Sequence, residues 1–176
     1  MGRTFITKFR RKLVSRVRQV LDDWYIRADR AQRAHYISAE HFKRRSLQLG
    51  VPTVILTLFV GTSVFASLQT KPNFYLQISV GLCSVFAAVL AGLQTFFSYS
   101  ERAEKHRMAG AKYGSIGREL EIIRASETEP DIKIVERIRE KLDGLAVEAP
   151  ANSKQVNDQA VKLSTASDST LRHWEN

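Results

Sequence analysis

The residues best suited to chemistry in this 176-residue chain are few and scattered. His35, His41 and His106 could ligate a metal or carry a proton, and paired carboxylates could act as acid and base. Their spacing supports neither role. His35 and His41 are six apart, whereas two histidines on one helical zinc face stand four apart. Asp22 with Asp23, and Glu119 with Glu121, diverge to different faces of a helix and read as solvated. Cys83 is the only cysteine, so an intramolecular disulfide is impossible and a packed thiol is expected. The chain has no glycine-rich phosphate loop, Walker motif or nucleophile elbow. These features point away from an enzyme, and no metal or other cofactor is expected.

A polar stripe in an apolar setting is more informative. Ser46 to Thr70 and Pro72 to Ser100 contain no charged residue, and only Lys71 separates them. Each is long enough to cross a bilayer core as a helix, which takes roughly 20 predominantly apolar residues. In the second stretch Gln77, Gly81, Ser84, Ala88, Ala91, Thr95 and Ser98 recur in steps of four and three. Bulky residues flank them, among them Leu82, Phe86, Leu93 and Phe97. Small residues let membrane helices approach closely, so the stripe can be a packing face against Thr57 and Gly61 of the first stretch. Polar intramembrane groups also face water-filled cavities, so it can equally line a pore in an oligomer.

The chain carries 27 Lys and Arg against 18 Asp and Glu, a net charge of +9. Thirteen of the bases and four of the acids fall in residues 1–45, ahead of the first apolar stretch. Arg102, Lys105 and Arg107 follow the second. Bases collect on the cytoplasmic side of membrane proteins, so both termini are expected inside. Anionic lipid headgroups would attract the same segment. No nucleic-acid-binding module accompanies the charge, and specific nucleic-acid binding is not expected. Phe5 to Tyr25 is too rich in Arg for a cleavable signal, and Ile6 breaks a myristoylation motif beginning at Gly2.

The elements around the apolar hairpin read as helices. Residues 1–19 form a basic amphipathic segment, with Phe5, Phe9 and Leu13 opposite Arg10, Arg11 and Arg18. That segment could lie on a membrane surface or pack as an ordinary helix. From 20–45, Trp24, Ala28, Ala31, His35, Ser38 and Phe42 keep a coiled-coil spacing. The spans are placed at about 47–69 and 73–99, with Pro52 in the first turns of one and a turn around Gln69 to Asn73. From 100–125, Ala103, Gly110 and Gly117 alternate with His106, Tyr113 and Leu120 at heptad intervals. Glycine inside a helix costs about 1 kcal/mol relative to Ala, so glycines at matched spacing read as a close helix crossing. The expected partner is the seam through His35, antiparallel, with His35 near the level of Gly110. A last helix at 130–146 is expected to start from a Thr128 cap and to line up Val135, Ile138, Leu142 and Leu145. Residues 151–176 read as a polar flexible tail with at most a marginal helix from Gln155 to Leu163. The expected fold class is an all-α membrane protein: a two-transmembrane hairpin with long cytoplasmic helices in an antiparallel bundle.

Directly after the second apolar stretch stands Ala103-Glu104-Lys105-His106-Arg107-Met108-Ala109-Gly110-Ala111-Lys112-Tyr113, followed by Arg118-Glu119-Leu120-Glu121. With the two preceding spans and Pro150 after the last helix, this resembles the SLATT family, the SMODS- and SLOG-associating two-transmembrane effector domain of bacteria. The resemblance covers about residues 20–150. It implies a membrane effector of bacterial conflict and anti-phage systems, acting at the inner membrane by oligomerising into a pore. It also implies activation by a nucleotide second messenger or by a separate sensor protein. Membrane lipid and other copies of the chain are the expected partners. The competing expectation is a non-conducting anchor or adaptor whose helical bundle recruits a cytoplasmic partner.

Overall fold

The computed structural model describes residues 2–67, 74–126 and 130–174, with side chains described for 15–64, 74–126 and 130–165. Every element among them is helical: α1 (Gly2–Ser67), α2 (Phe74–Phe97), α3 (Tyr99–Ala125), α4 (Ile132–Glu148) and α5 (Lys154–Trp174). The chain divides into two compact units. One comprises residues 1–39 and 105–176, the other residues 40–104.

α1 is one helix of 66 residues rather than three successive pieces. No glycine interrupts it between Gly2 and Gly50, and it continues through Pro52. Proline inside a helix removes one backbone donor, and Thr and Ser hydroxyls can bond freed carbonyls. Pro52 leaves the Gln48 carbonyl without its helical donor, and in the next position Thr53 Oγ1 donates to the Leu49 carbonyl at 2.7 Å. The turn at Gln69 to Asn73 lies outside the described residues, as do the side chains of Phe5, Phe9 and Leu13.

In the first unit α1, α3 and α4 share a core of Leu21, Ile116, Leu120, Ile138 and Leu145. Trp24, Tyr113, Val135 and Leu142 pack around it. α1 and α3 run antiparallel here: Asp22 pairs with Arg124, Tyr25 with Glu121 and His35 with His106. α4 adds the apolar face that its sequence spacing announces. Its cap is Asp131, whose side chain accepts from the Lys133 amide at 3.1 Å. Thr128, the expected cap, lies outside the described residues. The helix stops at Glu148, where the Ala149 amide still reaches the Leu145 carbonyl ahead of Pro150.

The expected flexible tail is instead helix α5, 21 residues long. Ser153 stands just before it, and its side chain and carbonyl take the Val156 and Asn157 amides. Val156 and Ala160 bury themselves against Ala34, with Ile37 alongside. Ser38 donates to the Asn152 side chain at 2.8 Å and fixes the approach to this helix. The contact is small, which is why composition alone reads the segment as unstructured.

In the second unit α2 packs on α1 through one face. Val80, Cys83, Ala87, Leu90 and Phe97 lose exposure on α2, as do Ser46, Leu49, Thr53, Leu56 and Val60 on α1. Gln94 crosses Gly50, where a Cβ would sit 3.5 Å from its amide nitrogen. α2 and α3 meet at Ser98, which has φ 46°. This left-handed residue ends α2 with its amide on the Gln94 carbonyl, and its own carbonyl accepts the Arg102 amide of α3. The joint separates α2 from α3 one residue before the end expected for the second span. Tyr99 then stacks on Phe97 at 5.1 Å and on Phe42 at 6.1 Å.

Leu120 is fully buried between α1 and α4, so Leu120→Ala should cost about 2–5 kcal/mol through lost transfer energy and a residual cavity. Thermal unfolding of the detergent-solubilised protein should show a marked drop in melting temperature. An unchanged melt would contradict a three-helix core centred on this side chain.

Candidate functional site

Two places in the chain gather the residues singled out from the sequence, one in each unit. The first is the crossing of α1 and α3. Ala28, His35, Ser38, His106, Gly110, Gly117 and Leu120 are buried there, and Trp24, Ala31 and Tyr113 are half-buried. Phe42 and Ala103, the remaining seam residues, are half-buried in the second unit. Sequence spacing missed Ala34, Ala109 and Gly114, all buried. Small residues adjacent to a heptad position carry no periodic signal of their own, so only the three-dimensional crossing identifies them.

Close approach occurs at Gly110 and Gly114 rather than at Gly110 and Gly117. A Cβ on Gly110 would stand 3.4 Å from the Gln32 carbonyl oxygen and from the Tyr36 ring. A Cβ on Gly114 would fall 2.7 Å from the Gln32 side-chain nitrogen. Around Gly117 nothing lies within 4 Å of that position, so the glycine there is not required by a neighbour. The heptad from Gly110 to Gly117 is therefore only half informative.

The polar centre of this crossing is a pair of histidines. His35 and His106 are 3% and 4% exposed, and their Nδ1 atoms are 3.1 Å apart. One ring donates and the other accepts, which requires the two to be in different tautomers. Tyr113 stacks on His35 with ring centroids 5.5 Å apart. Burial, reinforced by His106, pushes the His35 imidazole down to about 4. Burial also holds His106 below its usual value and raises the Tyr113 phenol. Both rings are accordingly neutral at neutral pH. Among the described residues, no group of three or more His, Cys, Asp or Glu side chains could hold a metal.

Toward the far end of the same crossing, Tyr25 donates to Glu121 at 2.8 Å, and Arg124 lies over the Tyr25 ring at 4.5 Å while pairing with Asp22. The hydrogen bond to Glu121 is the main cause that raises the Tyr25 phenol, followed by burial. Lys141 with Glu119, and Lys112 with Glu148, join α4 to α3 on the exposed surface. Such surface pairs are each worth at most about 1 kcal/mol and fix register more than stability. The acidic pairs noted in the sequence thus serve as separate surface contacts. Glu119 meets α4 and Glu121 meets α1, as expected for positions that diverge around a helix.

The second place is the stripe on α2. Gln77, Gly81, Ser84, Ala88, Ala91 and Thr95 are exposed, and Ser98 is half-buried at the joint. The stripe does not pack on α1. Thr57 is exposed, and nothing approaches within 4 Å of a Cβ on Gly61 or Gly81. The residues of α2 that lose exposure lie one position away from five of the seven: Val80, Cys83, Ala87, Leu90 and Phe97 beside Gly81, Ser84, Ala88, Ala91 and Ser98. One residue is about 100° around a helix of 3.6 residues per turn. Two interleaved heptad stripes therefore share α2, and the apolar one engages α1. Thr95 and Ser98 turn their hydroxyls back onto the Ala91 and Thr95 carbonyls.

Large apolar side chains elsewhere in this unit are uncovered. Phe74, Tyr75, Phe86 and Phe96 on α2, and Val54, Ile55 and Leu58 on α1, are all exposed. α1 and α2 each contain a stretch long and apolar enough to cross a membrane. Compared with known proteins, the chain matches no family model, no curated protein and no solved structure.

The glycine geometry separates two substitutions. Gly110→Leu should destabilise the crossing by about 1–3 kcal/mol through steric overlap with Gln32 and Tyr36. Gly117→Ala should stabilise α3 by roughly 0.5–1 kcal/mol, because it removes a helix penalty and meets no neighbour. Opposite shifts in melting temperature are the expected outcome, and shifts of the same sign would contradict the assigned crossing.

Proposed function

We propose that this chain is a membrane effector of a bacterial conflict or anti-phage system, which oligomerises in the inner membrane and forms a pore. The single observation that carries the reading is the uncovered stripe on α2. Exposed Gln77, Ser84 and Thr95 lie among exposed aromatic and aliphatic side chains, in a helix long and apolar enough to span a bilayer. Contiguous apolar exposure on this scale is foreign to soluble monomers, whose largest patches are about 300–600 Å². In lipid the aliphatic and aromatic faces are satisfied, whereas a polar stripe favours protein or water. A hairpin of two helices cannot enclose an aqueous channel by itself. Several copies arranged with this stripe inward can, while the apolar seam keeps each hairpin intact.

The resemblance of residues 103–121 to the SLATT motif supports the same reading and adds the biological setting. It also favours a trigger from outside the chain, either a nucleotide second messenger or a separate sensor. The basic clusters that flank the apolar stretches favour two cytoplasmic termini.

Ala91 separates conduction from packing, because it is exposed in the stripe and does not belong to the α1 seam. Ala91→Phe should reduce ion flux in proteoliposomes while leaving expression, insertion and oligomer size intact. Normal flux from a normal oligomer would contradict the pore reading. A lost oligomer would make the stripe a packing face between copies. Topology is tested separately in a Cys83→Ala background. Cysteine at position 73 should react with an impermeant reagent added outside intact cells, and cysteine at position 154 only after permeabilisation. The reverse pattern would contradict the orientation.

A further inference from the structure

In the second unit, aromatic and basic side chains meet where the uncharged stretches end. The left-handed Ser98 closes α2, and Tyr99 follows it directly as the first residue of α3. The Tyr99 ring stacks on Phe97 and on Phe42, and the Arg45 guanidinium lies over it at 6.0 Å. Arg102 stands three residues along α3 from Tyr99, the spacing of neighbours on one helical face. We propose that Arg45, Tyr99 and Arg102 form a binding site for the phosphate of an anionic phospholipid. The site rests on the reading that this unit lies in a bilayer, and it adds to that reading a headgroup and the residues that hold it.

Charge favours an anion here. Arg45 and Arg102 are exposed, and neither meets a carboxylate among the described residues. The neighbouring Arg44, by contrast, is paired with Glu40 at 3.0 Å. Glu101 and Glu104 stand two and five residues from Tyr99. That places them about 160° and about 140° around α3 from it, on the other side of the helix. The ring beneath Arg45 orients the guanidinium through its face and leaves the N–H groups at its edge to reach a ligand. Such a fork suits two oxygens of one phosphate, and the Tyr99 hydroxyl can donate to a third.

The aromatic side of the cluster points to a lipid rather than to a free phosphate. Phe96 meets Phe97 edge-on at 5.3 Å and is itself 80% exposed. Contacts thus run from a charged end at Arg45, through Tyr99 and Phe97, to an uncovered apolar end at Phe96. A phosphate ion would use only the first end. A phospholipid uses both, with its headgroup at the arginines and an acyl chain along Phe96. Tyrosine and long basic side chains suit the boundary between hydrocarbon and water, because each carries an apolar body and a polar tip. Basic pockets between helices on the cytoplasmic side recognise anionic headgroups in the same way.

The site is tested on the full chain in a non-ionic detergent, with native mass spectrometry counting what stays bound. The probes are phosphatidylglycerol, phosphatidylcholine with the same acyl chains, and inorganic phosphate. Phosphatidylglycerol should be retained in preference to the other two. Arg45→Gln/Arg102→Gln should weaken its retention by about tenfold, as expected when charge-assisted contacts are lost. Arg118→Gln/Arg137→Gln removes the same charge from exposed positions of the first unit and should leave retention unchanged. Equal losses from the two variants would overturn the site, because general attraction to basic protein would then suffice. Inorganic phosphate or phosphatidylcholine held as firmly as phosphatidylglycerol would overturn the ligand. Should the first variant melt early in lipid-free detergent, the parent decides. Its melting temperature should rise more with phosphatidylglycerol than with phosphatidylcholine, and equal rises overturn the proposal. Failure of the bilayer reading is seen separately, as a chain that does not float with liposomes. A chain that floats, while Arg45→Gln/Arg102→Gln holds phosphatidylglycerol like the parent, keeps that reading and loses the site.

Discussion

Each of the two units is organised by a stripe on its own part of α1. α1 presents Leu21, Trp24, Ala28, Ala31, His35 and Ser38 to the first unit at alternating steps of three and four. The same helix presents Phe42, Ser46, Leu49, Thr53, Leu56 and Val60 to the second. Both partner helices depend on these stripes. α3 meets the first through glycines and a histidine pair, and α2 meets the second through alanine, valine and leucine. Most of what holds a helix in a protein comes from such packing rather than from propensity.

The two units solve different problems on that common helix. In the first, large side chains are drawn inward, so that Leu21, Leu120 and Ile138 are almost wholly buried. In the second, Ala87 is the one buried residue of α2, and phenylalanines stand outward. The first pattern is what water imposes on a polypeptide. The second suits an apolar solvent, where burying leucine against leucine gains little and helices associate through close packing at small residues. Hydroxyls in the second unit bond back to their own helix. Thr53, Thr57 and Thr62 on α1, and Ser79 and Thr95 on α2, reach carbonyls three or four residues earlier. Each hydroxyl is thereby satisfied within its own helix.

The all-helical class and the two apolar helices were legible because both rest on long patterns. Twenty-five uncharged residues, or four turns of regular spacing, are hard to misread. The face of α4 was legible for the same reason. What escaped were features set by single residues. Ser98 breaks α2 from α3 with one left-handed residue, and serine gives no warning of that conformation. Gly114 makes the closest approach of α3 to α1, yet it lies outside the heptad that picked out Gly117. α5 is held by Val156 and Ala160, too few apolar positions to rise above a polar composition. On α2 the small and polar stripe was visible, but its neighbour one residue away was equally regular. Choosing between them requires the shape of α1, which sequence spacing does not supply.

The account turns on which way the second stripe of α2 faces once the chain is in a bilayer. Nitroxide scanning of residues 77–98 in liposomes, comparing a lipid-soluble with a water-soluble relaxation agent, measures this directly. The account predicts that positions 81, 84, 88, 91 and 95 are shielded from the lipid-soluble agent, while 78, 82, 86, 89, 93 and 96 are open to it. Lipid exposure that peaks at 81, 84, 88 and 91 would contradict it, because the polar stripe would then face hydrocarbon in every copy.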